Sequence, residues 1–293
     1  MTSYYGRPVL KEPVWKAEIP CYLFTGGLGG ASAVLSAAAR VGGNERLARR
    51  SIYIGAAADA VSPLLLISDL GRPERFLNML RVFKVTSPMS VGSWILAVSS
   101  AASSGSAFLN FIGRLRRTSD AARAVAAVSG APLAVYTGTL IADTAIPVWH
   151  EARHELPFLF GSSAAASAGA AAAIAVPPRE AGPARRLAVG GVLVGNAVML
   201  AMEERLGLVG EPYRQGEAGR YNKIARACTL GGAALLSLGR KSRAASVAGG
   251  ALVLAGEVAL RWSVFKAGFQ SARDPKYTVI PQRERLHARD GQR

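Results

Sequence analysis

Residues 69–94 read Asp69-Leu-Gly-Arg-Pro-Glu-Arg-Phe76, a short basic segment, then Ser87-Pro-Met-Ser-Val-Gly-Ser-Trp94. This is the longest polar interruption in the first half of a very apolar chain, and hydrophobic runs enter and leave it. The pattern predicts a membrane-surface loop joining two spanning helices. Arg72, Arg75, Arg81 and Lys84 lie on it, Pro73 and Pro88 set its turns, and Asp69 stands where the preceding apolar run stops. Such a loop is a charged platform at the mouth of a helix bundle.

The composition around the loop agrees. Half of the 293 residues are hydrophobic and several runs near 20 residues carry few or no charges, so the fold class is all-α, a polytopic membrane protein. The 32 glycines, with Ala and Ser, crowd the apolar runs, as expected where membrane helices pack through small residues. The formal charge of +16 is not gathered into one basic domain with interleaved aromatics. It punctuates the gaps between apolar runs, which points to membrane lipid and argues against nucleic acid.

Eight spans are expected, at 19–39, 51–68, 90–112, 124–147, 156–176, 187–203, 224–239 and 244–268; the seventh is the weakest, short and rich in Gly and Ala, and a seven-span chain that merges or drops it would put the termini on opposite sides. The chain is one integral membrane domain: a surface segment at 1–18 containing Pro8, Lys11 and Pro13, the bundle at 19–268, and a basic tail at 269–293. The first run lacks a small-residue cleavage site and is expected to be retained. Short, densely basic loops follow spans one, three, five and seven, which predicts that they are cytoplasmic and that both termini and the Asp69 loop face outward. The basic tail argues the other way, and a tail clamped onto a partner subunit would reconcile the two signals.

The fourth span holds the most informative polar pattern. Tyr136, Asp143 and His150 recur at steps of seven, which drift only about 20° per step on a helix, and so predict one stripe from mid-membrane to the outer mouth. The stripe ends beside Pro147, read as a kink, and Trp149, read as an interfacial anchor like Trp15. A phenol, a carboxylate and an imidazole in line could hydrogen-bond a quinone carbonyl and exchange protons with it, or could simply be packing residues. Asp59 and Glu257 lie near the middles of spans two and eight, where each must be neutral, paired or facing a wet cavity. Each is a candidate for proton transfer or, equally, for an interhelical hydrogen bond. Glu18 and Tyr22 share a face at the start of span one, ahead of Gly26, Gly27, Gly29 and Gly30, a cluster that admits another backbone or a flat ring.

Two cysteines, Cys21 and Cys228, cannot by themselves hold an iron–sulfur cluster; they read as isolated apolar thiols, or as a disulfide if both face the oxidising side. His150, His154 and His287 are the only histidines and none lies deep in a span, which argues against haem b with two axial histidines and against a metal site. No Walker loop, nucleophile elbow or zinc spacing occurs.

Taken together, Ile19-Pro-Cys-Tyr-Leu-Phe-Thr-Gly-Gly27, the two halves of the 69–94 motif, Tyr136-Thr-Gly-Thr-Leu140, Pro147-Val-Trp149 and Leu156-Pro-Phe-Leu-Phe160 resemble the polysulfide reductase membrane-subunit family of the NrfD/PsrC type, in its order, over roughly the first 165 residues. The resemblance implies an eight-span, haem-free respiratory subunit in the cell membrane. It would pass electrons between menaquinone or ubiquinone and an extrinsic ferredoxin-like iron–sulfur subunit coupled to a molybdopterin catalytic subunit, as in a formate dehydrogenase or a polysulfide reductase. It further implies a quinone pocket within the first four-helix bundle, with Asp69 and Arg72 at its mouth and Tyr136 inside, toward which Tyr22 and Asp143 would also converge. The chain departs from some relatives in having Glu18 and Tyr22 where they place an Asn and a His. The reading from another class is a secondary transporter or ion channel that uses Asp59, Asp143 and Glu257 as its path.

Overall fold

Glycine, asparagine, serine and proline mark several of the helix ends. The computed structural model describes residues 9–290 apart from Gly71 and Pro73, and every regular element in them is helical. Pro8 and Pro73, and the side chain of Arg75, lie outside the described residues. Helix α1 (Glu18–Val41) stops at Gly42, and Gly43 turns the chain in the left-handed region at φ 75°. Asn44 then caps α2 (Glu45–Asp69) by accepting the Leu47 amide at 3.0 Å, so the two helices run antiparallel after a tight turn. The motif loop holds a short helix, α3 (Glu74–Met79). Its second half belongs to α4 (Pro88–Ile112), which Ser87 caps and Pro88 opens.

Left-handed Gly113 ends α4, and α5 (Arg116–Ala142) returns to the motif end. There follow the short α6 (Pro147–Glu151), α7 (Leu156–Ala175), α8 (Gly182–Leu206), one 3-10 turn at Glu211–Tyr213, α9 (Gly216–Leu238), α10 (Arg243–Arg273) and α11 (Lys276–Asp290). Each of the eight expected spans coincides with a long helix. Seven are long and apolar enough to cross a membrane by length and composition. The exception is α9, at the seventh expected span, whose first half carries Glu217, Arg220, Lys223 and Arg226.

Helices α1, α2, α4 and α5 form one bundle, α7 to α10 form another, and α1 touches both through α7 and α10. Lipid removes most of the hydrophobic drive between helices, so close backbone packing has to hold them. A Cβ on Gly30 of α1 would strike the carbonyl oxygen of Gly130 on α5, and the reverse is also true. The core is bulky toward the motif end, with Tyr22, Leu133, Trp149, Phe160 and Phe265, and alanine-rich toward the other, with Ala48, Ala166, Ala170 and Ala188.

The segment before α1 and the end of α10 meet at the motif end, where Arg273 pairs with Glu12 at 2.9 Å and the Lys16 amide donates to Asp69 at 3.1 Å. The basic tail folds back as α11 onto this same face, with Lys276 on Glu211 and Arg285 on Glu151, both at 2.6 Å. Lys276 and Arg285 of the tail thus find carboxylates on the chain's own surface.

Candidate functional site

The motif end of the first bundle is built by three helices. Tyr22 of α1, 2 % exposed, and Tyr136 of α5 meet hydroxyl to hydroxyl in a hydrogen bond. The ring of Tyr136 lies against α4 where Gly92 has no side chain, and a Cβ there would overlap the ring. Gly92 is the glycine of the Ser87–Trp94 motif, so that motif shapes a flat wall for Tyr136. Two phenols joined by one hydrogen bond retain one free O–H proton, and the pair can offer it to a carbonyl oxygen.

The other residues expected here are arranged less simply. Asp69 terminates α2, half-buried and fixed by the Lys16 amide, and Arg72 is exposed just beyond it. Glu18 is the first residue of α1, half-buried. The stripe along the fourth span breaks: α5 ends at Ala142, Asp143 is its exposed C-cap, and His150 lies exposed on the separate α6. The physical reason is Pro147, which opens α6 at its first turn instead of kinking one long helix. Trp149 is no interfacial anchor either. It is fully buried, donates from Nε1 to the Val264 carbonyl at 2.7 Å, packs on Gly268 and stacks on Trp15 with ring centroids 5.6 Å apart.

Two polar groups lie deep between helices. Asp59 of α2 is fully buried, and its Oδ2 accepts hydrogen bonds from Ser99 at 3.1 Å and Ser103 at 2.8 Å, both on α4. Its Oδ1 has no partner and faces Gly29 of α1 so closely that a Cβ there would overlap it. A buried acceptor left open in this way suits a water or a proton. Glu257 of α10, 3 % exposed, has an unpartnered Oε2 beside a cavity of about 20 Å³ lined also by Asn196, Asn222, Arg226 and Thr229, which is room for one water.

The sequence reading missed Arg261, four residues after Glu257 and 1 % exposed. Its guanidinium lies 3.7 Å from the centroid of the Phe160 ring and donates to the Phe160 carbonyl at 3.2 Å, while Nε and Nη1 have no partner. An arginine one turn from a glutamate inside an apolar 31-residue helix was the available signal. Asp143, exposed at a helix end, does not belong with these interior groups.

Eight long antiparallel helices, with ionisable groups buried in both bundles and paired phenols at one mouth, define a multi-pass helical membrane protein with polar sites between its helices. The family model described as polysulphide reductase, NrfD, matches residues 9–177, from the segment before α1 through the end of α7, and the chain belongs to that family. None of the curated proteins compared with it matches.

Proposed function

We propose that this chain is the haem-free, quinone-reactive membrane subunit of a respiratory oxidoreductase. It would exchange electrons between the quinone pool and an extrinsic iron–sulfur subunit coupled to a molybdopterin catalytic subunit, of the formate dehydrogenase or polysulfide reductase kind. The observation that carries the reading is the family match over the whole first bundle, the part that contains the Tyr22–Tyr136 pair. Menaquinone or ubiquinone would enter as substrate, not as a resident group.

The free O–H of the tyrosine pair would hydrogen-bond a quinone carbonyl, Asp69 and Arg72 would stand at the mouth, and Asp143 and His150, exposed beside it, would exchange protons with the aqueous side. Asp59 and Glu257 would supply proton-holding groups farther in, and Glu18 another at the surface. The motif end, with both termini, would face the outer side, where the iron–sulfur subunit docks.

Gentle detergent purification from the native membrane, with mass spectrometry of what stays bound, tests this. Recovery of a ferredoxin-like subunit and a molybdopterin protein is expected, together with quinone-linked turnover that falls at least tenfold in Tyr136→Phe while assembly survives. A single polypeptide without redox partners would overturn it. The buried Asp59 and Glu257 favour a second reading, an ion or proton transporter. Transport by the isolated subunit in liposomes would establish that one.

A further inference from the structure

At the end opposite the 69–94 motif, the turns between α1 and α2, between α4 and α5, and between α7 and α8 enclose a cavity of about 820 Å³. Six arginines line it (Arg40, Arg46, Arg49, Arg114, Arg116 and Arg123) against three carboxylates, Glu45, Asp120 and Glu180. The carboxylates are spent on part of the set: Asp120 holds Arg40 at 2.8 Å and Arg123 at 3.0 Å, Glu45 also pairs with Arg40, and Glu180 holds Arg46 at 2.9 Å. Arg49, Arg114 and Arg116 make no ion pair among the described residues.

Arg123 lies in the wall of the cavity, 3 % exposed, with one nitrogen on Asp120 and an Nε that has no partner, so its buried positive charge is only partly satisfied. The α5 N-terminus opens at the same place. Its N-cap, Leu115, sits in the left-handed region at φ 54° and supplies no capping side chain, so the first amides of that helix lack a side-chain acceptor. Guanidinium groups, an open helix N-terminus and the polar lining of Asn44, Asn110 and Ser119 together match the tetrahedral oxygens of a phosphate.

We propose that this cavity binds a phosphate group. Its volume admits a phospholipid headgroup, and its position at the end of a membrane bundle exposes it to anionic lipid as well as to soluble phosphates. The site is independent of the redox reading.

The test uses the full chain as purified from its native membrane, stripped of lipid in detergent and titrated with diphosphatidylglycerol or with inorganic pyrophosphate, bound ligand being counted by native mass spectrometry. Saturable binding of one equivalent is expected. Arg49→Gln and Arg116→Gln should each weaken it about fivefold, and together roughly 30-fold, from the attraction of one arginine near an anionic phosphate. Arg117→Gln, on the same turn but outside the lining, serves as the control and should bind as the parent does. Lipid binding that pyrophosphate does not displace assigns the site to a headgroup; pyrophosphate binding without lipid assigns it to a soluble phosphate. Absence of saturable binding by either probe, or equal weakening in Arg117→Gln, overturns the proposal.

Discussion

The hydroxyl pair of Tyr22 and Tyr136 makes a prediction that separates a real interhelical bond from mere proximity. Tyr22→Phe and Tyr136→Phe each remove one oxygen and leave the other without its partner. At a site where Tyr22 is 2 % exposed and no water has easy access, the stranded hydroxyl costs about 1–3 kcal/mol. The double variant strands nothing, since both oxygens are gone and the rings keep their contacts with Gly92 and Gly26. It should therefore lose no more than one single variant, giving a coupling of at least about 1–3 kcal/mol. Reversible unfolding of the purified protein by SDS in mixed micelles measures all four corners of the cycle. If the two single losses simply add in the double variant, the hydroxyls do not bond to each other and the site as described is wrong. Quinone-linked turnover adds a second reading: with the pair acting as one donor, the double variant should turn over no more slowly than Tyr136→Phe alone.

Gly29→Ala places a methyl group against the Asp59 carboxylate, so it should destabilise by about 1–3 kcal/mol in SDS unfolding, with recovery when Asp59→Ser shortens the opposing side chain. Trp149→Phe removes the indole donor to the Val264 carbonyl and leaves a void beside Gly268, a loss of about 1–3 kcal/mol by the same assay. Glu211 lies outside the spans, and its hydrogen bonds with Lys276 and Tyr277 hold its carboxyl below the usual glutamate range. The contribution to docking of α11 is then present above the ordinary glutamate pKa and lost as pH falls through the lowered one, so hydrogen exchange in 276–290 should rise at a pH below the ordinary glutamate range, and Glu211→Gln should remove that step. A reporter active only outside the cell should work when fused after the tail and fail when inserted at Arg117; the reverse pattern would invert the proposed orientation.

Hydropathy made all eight long helices legible, because span length and charge-free runs are properties of the chain alone. Their ends were legible where Gly, Asn, Ser or Pro act locally, as at Gly42–Gly43, Asn44 and Ser87–Pro88. The fourth span failed at its end because a Pro147 that kinks a helix and one that opens a new helix look alike in sequence. Trp149 was misplaced for a related reason: whether an indole at a helix end faces lipid or core depends on what packs there, here Gly268 of a helix more than a hundred residues away. At the candidate site, Tyr22 and Tyr136 were both singled out, but their hydrogen bond depends on the α1–α5 crossing and could not be read from spacing. The serines that hold Asp59 escaped notice because Ser is common throughout the apolar runs.

The glycine cluster of span one shows how the two bundles are tied. Successive residues on a helix turn by about 100°, so Gly27 and Gly29 point to nearly opposite sides of α1. Gly27 receives Ala164 of α7 and the Arg261 guanidinium of α10, while Gly29 receives Asp59 of α2, and Gly30, turned further, receives the α5 backbone at Gly130. No single packing partner explains a run of glycines on several faces; a helix enclosed on all of them does. The interior acid of the first bundle and the interior arginine of the second are thus separated by one bare turn of α1. A shift of α1 toward either neighbour would have to move away from the other, because interiors packed this closely deform by exchange of space, not by compression. Tyr22 stands on the same helix, one turn nearer the motif end. A quinone bound at the tyrosine pair, as proposed, would therefore bear on the same helix that walls both Asp59 and Arg261.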